Sequence, residues 1–277
     1  MTSTLQVFTT IKGISAASGL FLKGNLLYLI ADNSNYLYEY DIKEQRLNKL
    51  PLLVTSPPEN IPKADKPDFE VVCGFEGSLY ILGSGSTVKR NRMIEYRLGT
   101  KKVIEHDLLP LYTAMKKAHA VDDDNLNIEG AIFTGDQWFL FNRGNGNSMK
   151  NGIFIIKGPD LANAKSADFI SIALLKTNEV FASFTDAVLY QNQIYFIAAA
   201  EDTTSTYNDG KILGSYIGSL DLATLKLNYI KKIAEQQKFE GLTFLREKGG
   251  QIEFLICEDS DTDTTSTIIY KYGLTKS

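Results

Sequence analysis

Histidine and cysteine are scarce. Two histidines, His106 and His119, and two cysteines, Cys73 and Cys257, occur in 277 residues. Without a CxxC pair there is no ligand set for structural zinc, and histidine acid–base chemistry is poorly supplied. The cysteines sit far apart inside apolar runs and read as buried free thiols rather than a disulfide. No run of about 18 apolar residues occurs, so no membrane-spanning helix is expected. A basic excess is missing as well. With 29 Lys and Arg against 33 Asp and Glu, the net charge of −4 argues against a nucleic-acid partner. The start, "MTSTLQVFTT", has neither the basic flank nor the apolar stretch of a signal peptide. A cytoplasmic location is therefore expected, or a periplasmic or secreted one if a leader has been removed. Helical periodicity is confined to "LLPLYTAMKKA", residues 108–118.

What is abundant points to strands. Fourteen tyrosines and fifteen phenylalanines, with many β-branched residues, lie in short alternating runs split by turn signals such as "GNLL", "YQNQ" and "GGQ". Five segments align: "ASGLFLKGNLLYLIADN" from Ala17, "FEVVCGFEGSLYILGSG" from Phe69, "IEGAIFTGDQWFLFNRG" from Ile128, "FTDAVLYQNQIYFIAAA" from Phe184 and "FEGLTFLREKGGQIEFLICED" from Phe239. Each has a polar residue in second place, then strand, turn, strand and polar loop. The second-place residues are Ser18, Glu70, Glu129, Thr185 and Glu240, separated by 52, 59, 56 and 55 positions. Asp32, Ser84, Arg143 and Ala199 each follow their marker by 14 residues, and the longer fifth unit places its counterpart near Glu258. A third strand follows in every unit and a fourth in the first four.

Repeats of this length, each unable to bury its own faces, predict a five-bladed β-propeller spanning residues 1–277 as one domain, with six blades as the alternative. The spare N-terminal strand "TLQVFTTI" supplies the strand that the fifth unit lacks and closes the ring, removing an exposed edge.

In a propeller the first strand of each blade lines the central channel, so the markers form a ring near one mouth. Asp186, beside Thr185, is the alternative oxygen of the fourth blade. Converging carboxylates resist joint ionisation, and a cation removes the conflict. An all-oxygen set suits Ca²⁺, or Mg²⁺ as the alternative. The competing reading is that a polar residue at a strand start hydrogen-bonds neighbouring backbone. The loops after the second strands carry Lys89, Arg90, Arg92, Arg143 and Lys211, with Asn142 at the base of one. Such a rim suits an anionic small molecule such as a phosphate. "DSDTDTTS" alternates Asp259, Asp261 and Asp263 but has Thr264 and Tyr270 where an EF-hand needs Gly and Glu.

The marker pattern, with "FEGLTF", "QWFLFNRG" and "LYTAMKKA", resembles the soluble calcium-activated nucleotidases (apyrases), which are five-bladed propellers with a channel Ca²⁺. The chain also looks like uncharacterised bacterial propellers and phytase-like or esterase-like propellers with an "EGL" marker. The nucleotidase resemblance implies that Ser18, Glu70, Glu129, Thr185 and Glu240 ligate calcium, that Asp32 is an acidic mouth residue and Arg143 a basic one. Three functions are open. A calcium-binding propeller that binds a ligand or protein without catalysis is one. A Ca²⁺-dependent phosphohydrolase is the second, with Arg143 and Lys89 or Arg90 stabilising charge and Asp32 or Glu258 activating water. A lactone- or glycan-active propeller is the third.

Overall fold

The computed structural model describes residues 3–122, 125–144, 148–203, 210–259 and 265–275. Strand β1 (Ser3–Lys12) precedes the first blade. Blade 1 is β2 (Ala17–Lys23), β3 (Leu26–Ala31), β4 (Tyr36–Asp41) and β5 (Arg46–Pro51). Blade 2 is β6 (Phe69–Phe75), β7 (Ser78–Gly83), β8 (Arg92–Arg97) and β9 (Lys102–Asp107). The helix α1 (Leu109–His119) leads to blade 3, made of β10 (Ile128–Phe133), β11 (Gln137–Asn142), β12 (Gly152–Lys157) and β13 (Asp168–Ser171). Blade 4 is β15 (Val180–Tyr190), β16 (Gln193–Asp202), β17 (Lys211–Asp221) and β18 (Leu227–Ala234), with the two-residue β14 (Lys176–Thr177) beside the start of β15. Blade 5 is β19 (Lys238–Lys248), β20 (Gln251–Asp259) and β21 (Ser266–Thr275), and β1 is its fourth strand.

The ring closes as the repeats predict. β1 pairs antiparallel with β21, from Ser3 opposite Leu274 to Lys12 opposite Ser266. Inner strand touches inner strand all the way round: β2 with β6, β6 with β10, β10 with β15, β15 with β19, and β19 with β2. Five apolar clusters fill the five seams between blades. Tyr28, Leu37, Leu79 and Ile94 join blades 1 and 2, and Ile11, Leu20, Leu255 and Cys257 join blade 5 to blade 1. Each blade is apolar on both faces and so needs a neighbour on each side. Every seam is filled by these five, and the described residues form five sheets, not six. The helix plugs the seam between blades 2 and 3. Leu111, Tyr112 and Met115 are buried there with Trp138 and Leu140, and the Tyr112 hydroxyl donates to the Gly83 carbonyl at 3.1 Å.

One backbone feature recurs in every blade. The register against the second strand slips at Ser18, Glu70, Glu129, Thr185 and Glu240: each lies in a β-bulge of its inner strand. A bulge leaves its extra residue out of the ladder and re-aims the side chain. That answers why a charge can start a buried strand. The glycine that follows in three blades has a separate cause. A Cβ on Gly241 would lie 2.6 Å from Cys257 Sγ and 2.9 Å from the Gly19 Cα of blade 1. One on Gly130 would lie 3.1 Å from the Ala187 nitrogen of blade 4. At these two positions the neighbouring blade comes too close for an ordinary side chain.

Candidate functional site

Two charged clusters occupy one mouth of the channel. The first belongs to blades 1 and 2. Asp32 follows β3, Asp68 ends the connection into β6, and Glu70 is the bulge residue of β6. One ligand oxygen from each of these three carboxylates lies within 4.8 Å of the others. Lys66, from the same connection, pairs with Asp32 Oδ2 and stands 2.8 Å from Asp68 Oδ1. Arg90, in the short 3-10 turn Val88–Arg90, donates from Nη1 to Asp68 Oδ2 at 2.8 Å and to Ser86 Oγ at 2.8 Å. Asp32 Oδ1 is buried without a hydrogen-bond partner among the described residues.

The second cluster joins blades 3, 4 and 5. Arg143 donates from Nη1 to Glu129 Oε1 at 3.1 Å and from Nη2 to Glu201, and lies 4.0 Å from Glu240 Oε1. Lys238 lies 2.7 Å from Glu240 Oε1 and 3.7 Å from Asp259 Oδ2. All of these side chains are buried.

The electrostatics follow from crowding acids in a space shielded from water. Burial raises the Glu70 carboxyl well above the usual range, and Asp68, Glu129, Glu240 and Asp32 push it further. Burial also raises Asp32, against the opposing pull of Lys66. Glu129 is pushed up to about 7 by burial, with Arg143 opposing and Glu240 adding to the rise. For Lys66, burial works against the ammonium, but Asp68 and Asp32 outweigh it and hold the charge in place. Glu70 feels Glu129 and Glu240 as well as its own neighbours, so the two clusters act as one ring.

The predicted metal ring divides on inspection. Glu70 joins Asp32 and Asp68 in the carboxylate triad. Glu129 and Glu240 are engaged by Arg143 and Lys238. The two hydroxyls serve the scaffold: Ser18 Oγ donates to the Phe69 carbonyl of blade 2 at 2.5 Å, and Thr185 Oγ1 to the Phe239 carbonyl of blade 5 at 2.6 Å. Asp186 accepts from the Ala187 and Leu242 nitrogens, both at 2.7 Å, and so ties β15 to β19. Burial raises its carboxyl well above the usual range despite those two donors.

The residues predicted to be catalytic or substrate-binding fall in different surroundings. Arg143 is only 5% exposed and is held by carboxylates, so its guanidinium does not face an incoming anion. Glu258 is one residue out of register. Glu258 pairs with Phe239, as Ala31 pairs with Ala17, so the counterpart of Asp32 is Asp259. A one-residue slip turns a side chain to the other face, and Glu258 accepts from the Tyr270 hydroxyl at 2.6 Å instead. Asn142 is fully buried, with Nδ2 on the Lys150 carbonyl at 2.8 Å and Oδ1 on the Asn127 nitrogen at 2.9 Å. It is a scaffold residue. Arg90 is spent on Asp68. Lys89 is exposed and pairs with Asp65 at 2.5 Å, and Lys211 is exposed at the start of β17. Asp261 and Asp263 lie outside the described residues.

Sequence reasoning missed Lys66, Asp68, Glu201, Lys238 and Asp259. A signal existed for one of them. Lys238 precedes its marker by two residues within β19, and residues two apart on a strand share a face. Glu201 carried no such signal. It lies on the lengthened β16–β17 hairpin of blade 4 and reaches Arg143 beyond Ala199, the small residue at Arg143's equivalent position.

The fold has solved relatives at very low identity. A luciferin-regenerating enzyme is similar at 10% identity with a TM-score of 0.50, over 99% of this chain and 96% of that one. The Myxococcus xanthus glutaminyl cyclase is similar at 8% identity with a TM-score of 0.56, over 98% and 97%. A putative exported protein from Bacteroides fragilis aligns at 7% identity with a TM-score of 0.46, over 99% and 96%. The first two likenesses carry the propeller fold and no activity; the nucleotidase resemblance finds no support in them. No curated protein matches the chain. The chain belongs to the family of unknown function DUF6929, whose pattern it matches over residues 13–274.

Proposed function

We propose that this propeller is a cation-binding module, holding Ca²⁺ at the channel mouth on Asp32, Asp68 and Glu70 and presenting it to an anionic small molecule without catalysis. Mg²⁺ is the second ion. The observation that carries the reading is the triad itself: three carboxylates within 4.8 Å of one another, one with a buried, partnerless oxygen. The donor set fits a hard divalent ion, because it is all oxygen and lacks His and Cys. Bound there, the ion would supply positive charge at the mouth.

Binding is favoured over hydrolysis because the four cations of the mouth are already spent. Lys66, Arg90, Arg143 and Lys238, the buried cations of the mouth among the described residues, all sit on carboxylates, so none of these four is free to stabilise a transferring phosphoryl group.

Thermal unfolding in EDTA, Ca²⁺ and Mg²⁺ tests the proposal. A ligand that binds only the native state raises the melting temperature with its concentration. The expected result is a rise with Ca²⁺ that Glu70→Gln weakens and Ser18→Ala does not. No rise in either ion would end the cation reading. Release of phosphate from a nucleotide or phosphoester panel, or turnover of a lactone panel, would replace the non-catalytic reading with an enzymatic one.

A further inference from the structure

We infer that Lys66 is a tethered competitor for the cation: its ammonium fills the gap between Asp32 and Asp68, and a divalent ion enters by displacing it. The inference rests on the cation-binding reading and adds how that site is controlled.

Lys66 bridges two of the three triad carboxylates, pairing with Asp32 Oδ2 and lying 2.8 Å from Asp68 Oδ1. Its side chain is only 12% exposed. A calcium ion sits about 2.3–2.6 Å from each ligand oxygen. Placed on these same oxygens, it would stand close enough to the ammonium for strong repulsion in a shielded site. The two cations exclude each other.

The other cation on Asp68 is built to stay. Arg90 is buried, and besides Asp68 it binds Ser86 Oγ at 2.8 Å and the Lys63 carbonyl at 3.1 Å. Lys66 is built to leave. It lies on the connection between β5 and β6, where residues 62–65 are exposed. Its own backbone is held by a turn, in which the Asp65 and Lys66 nitrogens donate to the Pro62 carbonyl at 2.8 and 3.0 Å, while Arg90 and Lys89 hold the Lys63 and Ala64 carbonyls beside it. Its ammonium can swing to solvent without disturbing a strand. Exchange replaces one positive charge by two in a ring that holds more acids than bases. Singly charged ions lack that advantage and leave Lys66 in place.

Calorimetric titration of wild type, Lys66→Met and Lys66→Arg with CaCl₂ tests this, alongside acetylation of wild-type lysines with and without Ca²⁺, read at each lysine by peptide mass spectrometry. Lys66→Met is expected to lower the Ca²⁺ dissociation constant at least tenfold, and Lys66→Arg to leave it unchanged or weaker. In wild type, Ca²⁺ is expected to speed acetylation of Lys66 as its ammonium swings to solvent. Wild type and Lys66→Met binding Ca²⁺ equally, with unchanged Lys66 acetylation, would overturn the inference and leave the cation site standing. No binding by either protein would overturn both. Should Lys66→Met fail to fold, the wild-type acetylation decides alone.

Discussion

Arg143 of blade 3 donates from Nη1 to the bulge residue Glu129 at 3.1 Å, and its other terminal nitrogen holds Glu201 of blade 4. With Glu240 of blade 5 at 4.0 Å, one buried guanidinium binds the inner ends of three blades. Replacing it strips Glu129 and Glu201 of their buried counter-ion, while Glu240 keeps Lys238. Arg143→Met is expected to destabilise the protein by about 3–5 kcal/mol, the range for breaking a buried ion pair by removing one partner. Arg143→Lys should recover only part, because a single ammonium cannot span the same acceptors. Urea unfolding measures both, and an unchanged midpoint for Arg143→Met would contradict the bridging role.

Glu129 gives a pH dependence with a definite sign. Its carboxyl is near 4.5 ordinarily and about 7 in the fold. Between those values the folded state binds the extra proton, so stability falls as pH rises through that window. Wild type should therefore lose melting temperature between pH 5 and pH 8 more steeply than Glu129→Gln, which has no proton to release. Parallel pH profiles for the two proteins would sink this account.

The glycine after the bulge is a packing requirement. Gly241→Ala is expected to cost about 1–3 kcal/mol through overpacking against Cys257 and the blade 1 backbone. Gly99→Ala, where nothing lies within 4 Å of the added Cβ, should stay within about 0.5 kcal/mol of wild type. Chemical denaturation of the pair distinguishes close approach from a general glycine effect.

The two hydroxyl markers act between blades rather than on an ion. Ser18→Ala and Thr185→Val should each cost about 1 kcal/mol, the net worth of one hydrogen bond, and each should keep the full calcium-induced shift in melting temperature. A Ser18→Ala protein that loses the calcium shift would put that hydroxyl back among the ligands.

The N-terminal strand is structural. Deleting residues 1–12 removes the β1–β21 ladder and leaves β21 as an open edge. The truncated protein is expected to aggregate or to lose a single cooperative unfolding transition. A monomeric, cooperative truncation product would show that ring closure is dispensable.

Much of this was written in the repeat. Spacings of 52 to 59 residues between markers, a turn at the same place in each unit and a spare first strand determined five blades closed through the N-terminus. Alternation along the chain is local, and local patterns survive into the fold. The same alternation marked Lys238 beside Glu240, both on β19. Counting failed in the fifth blade. The longer turn and a second register shift between Phe244 and Arg246 move the mouth position from Glu258 to Asp259, and hydrogen-bond register is set by the ladder, not by residue number.

What only the tertiary structure decided is which charges meet. The sequence by itself put carboxylates at one mouth of a channel and cations in the loops around it. It did not show that Arg143 turns inward to three acids from three blades, or that Lys66 drops from a connection onto Asp32 and Asp68. Nor did it show that Glu201 arrives from a hairpin lengthened in one blade alone. The physical reason is range. Strand and turn are set by neighbours a few residues apart, whereas the buried contacts of Arg143 reach 14, 58 and 97 positions along the chain, to Glu129, Glu201 and Glu240, and they form only once the blades have brought these residues into one water-poor space.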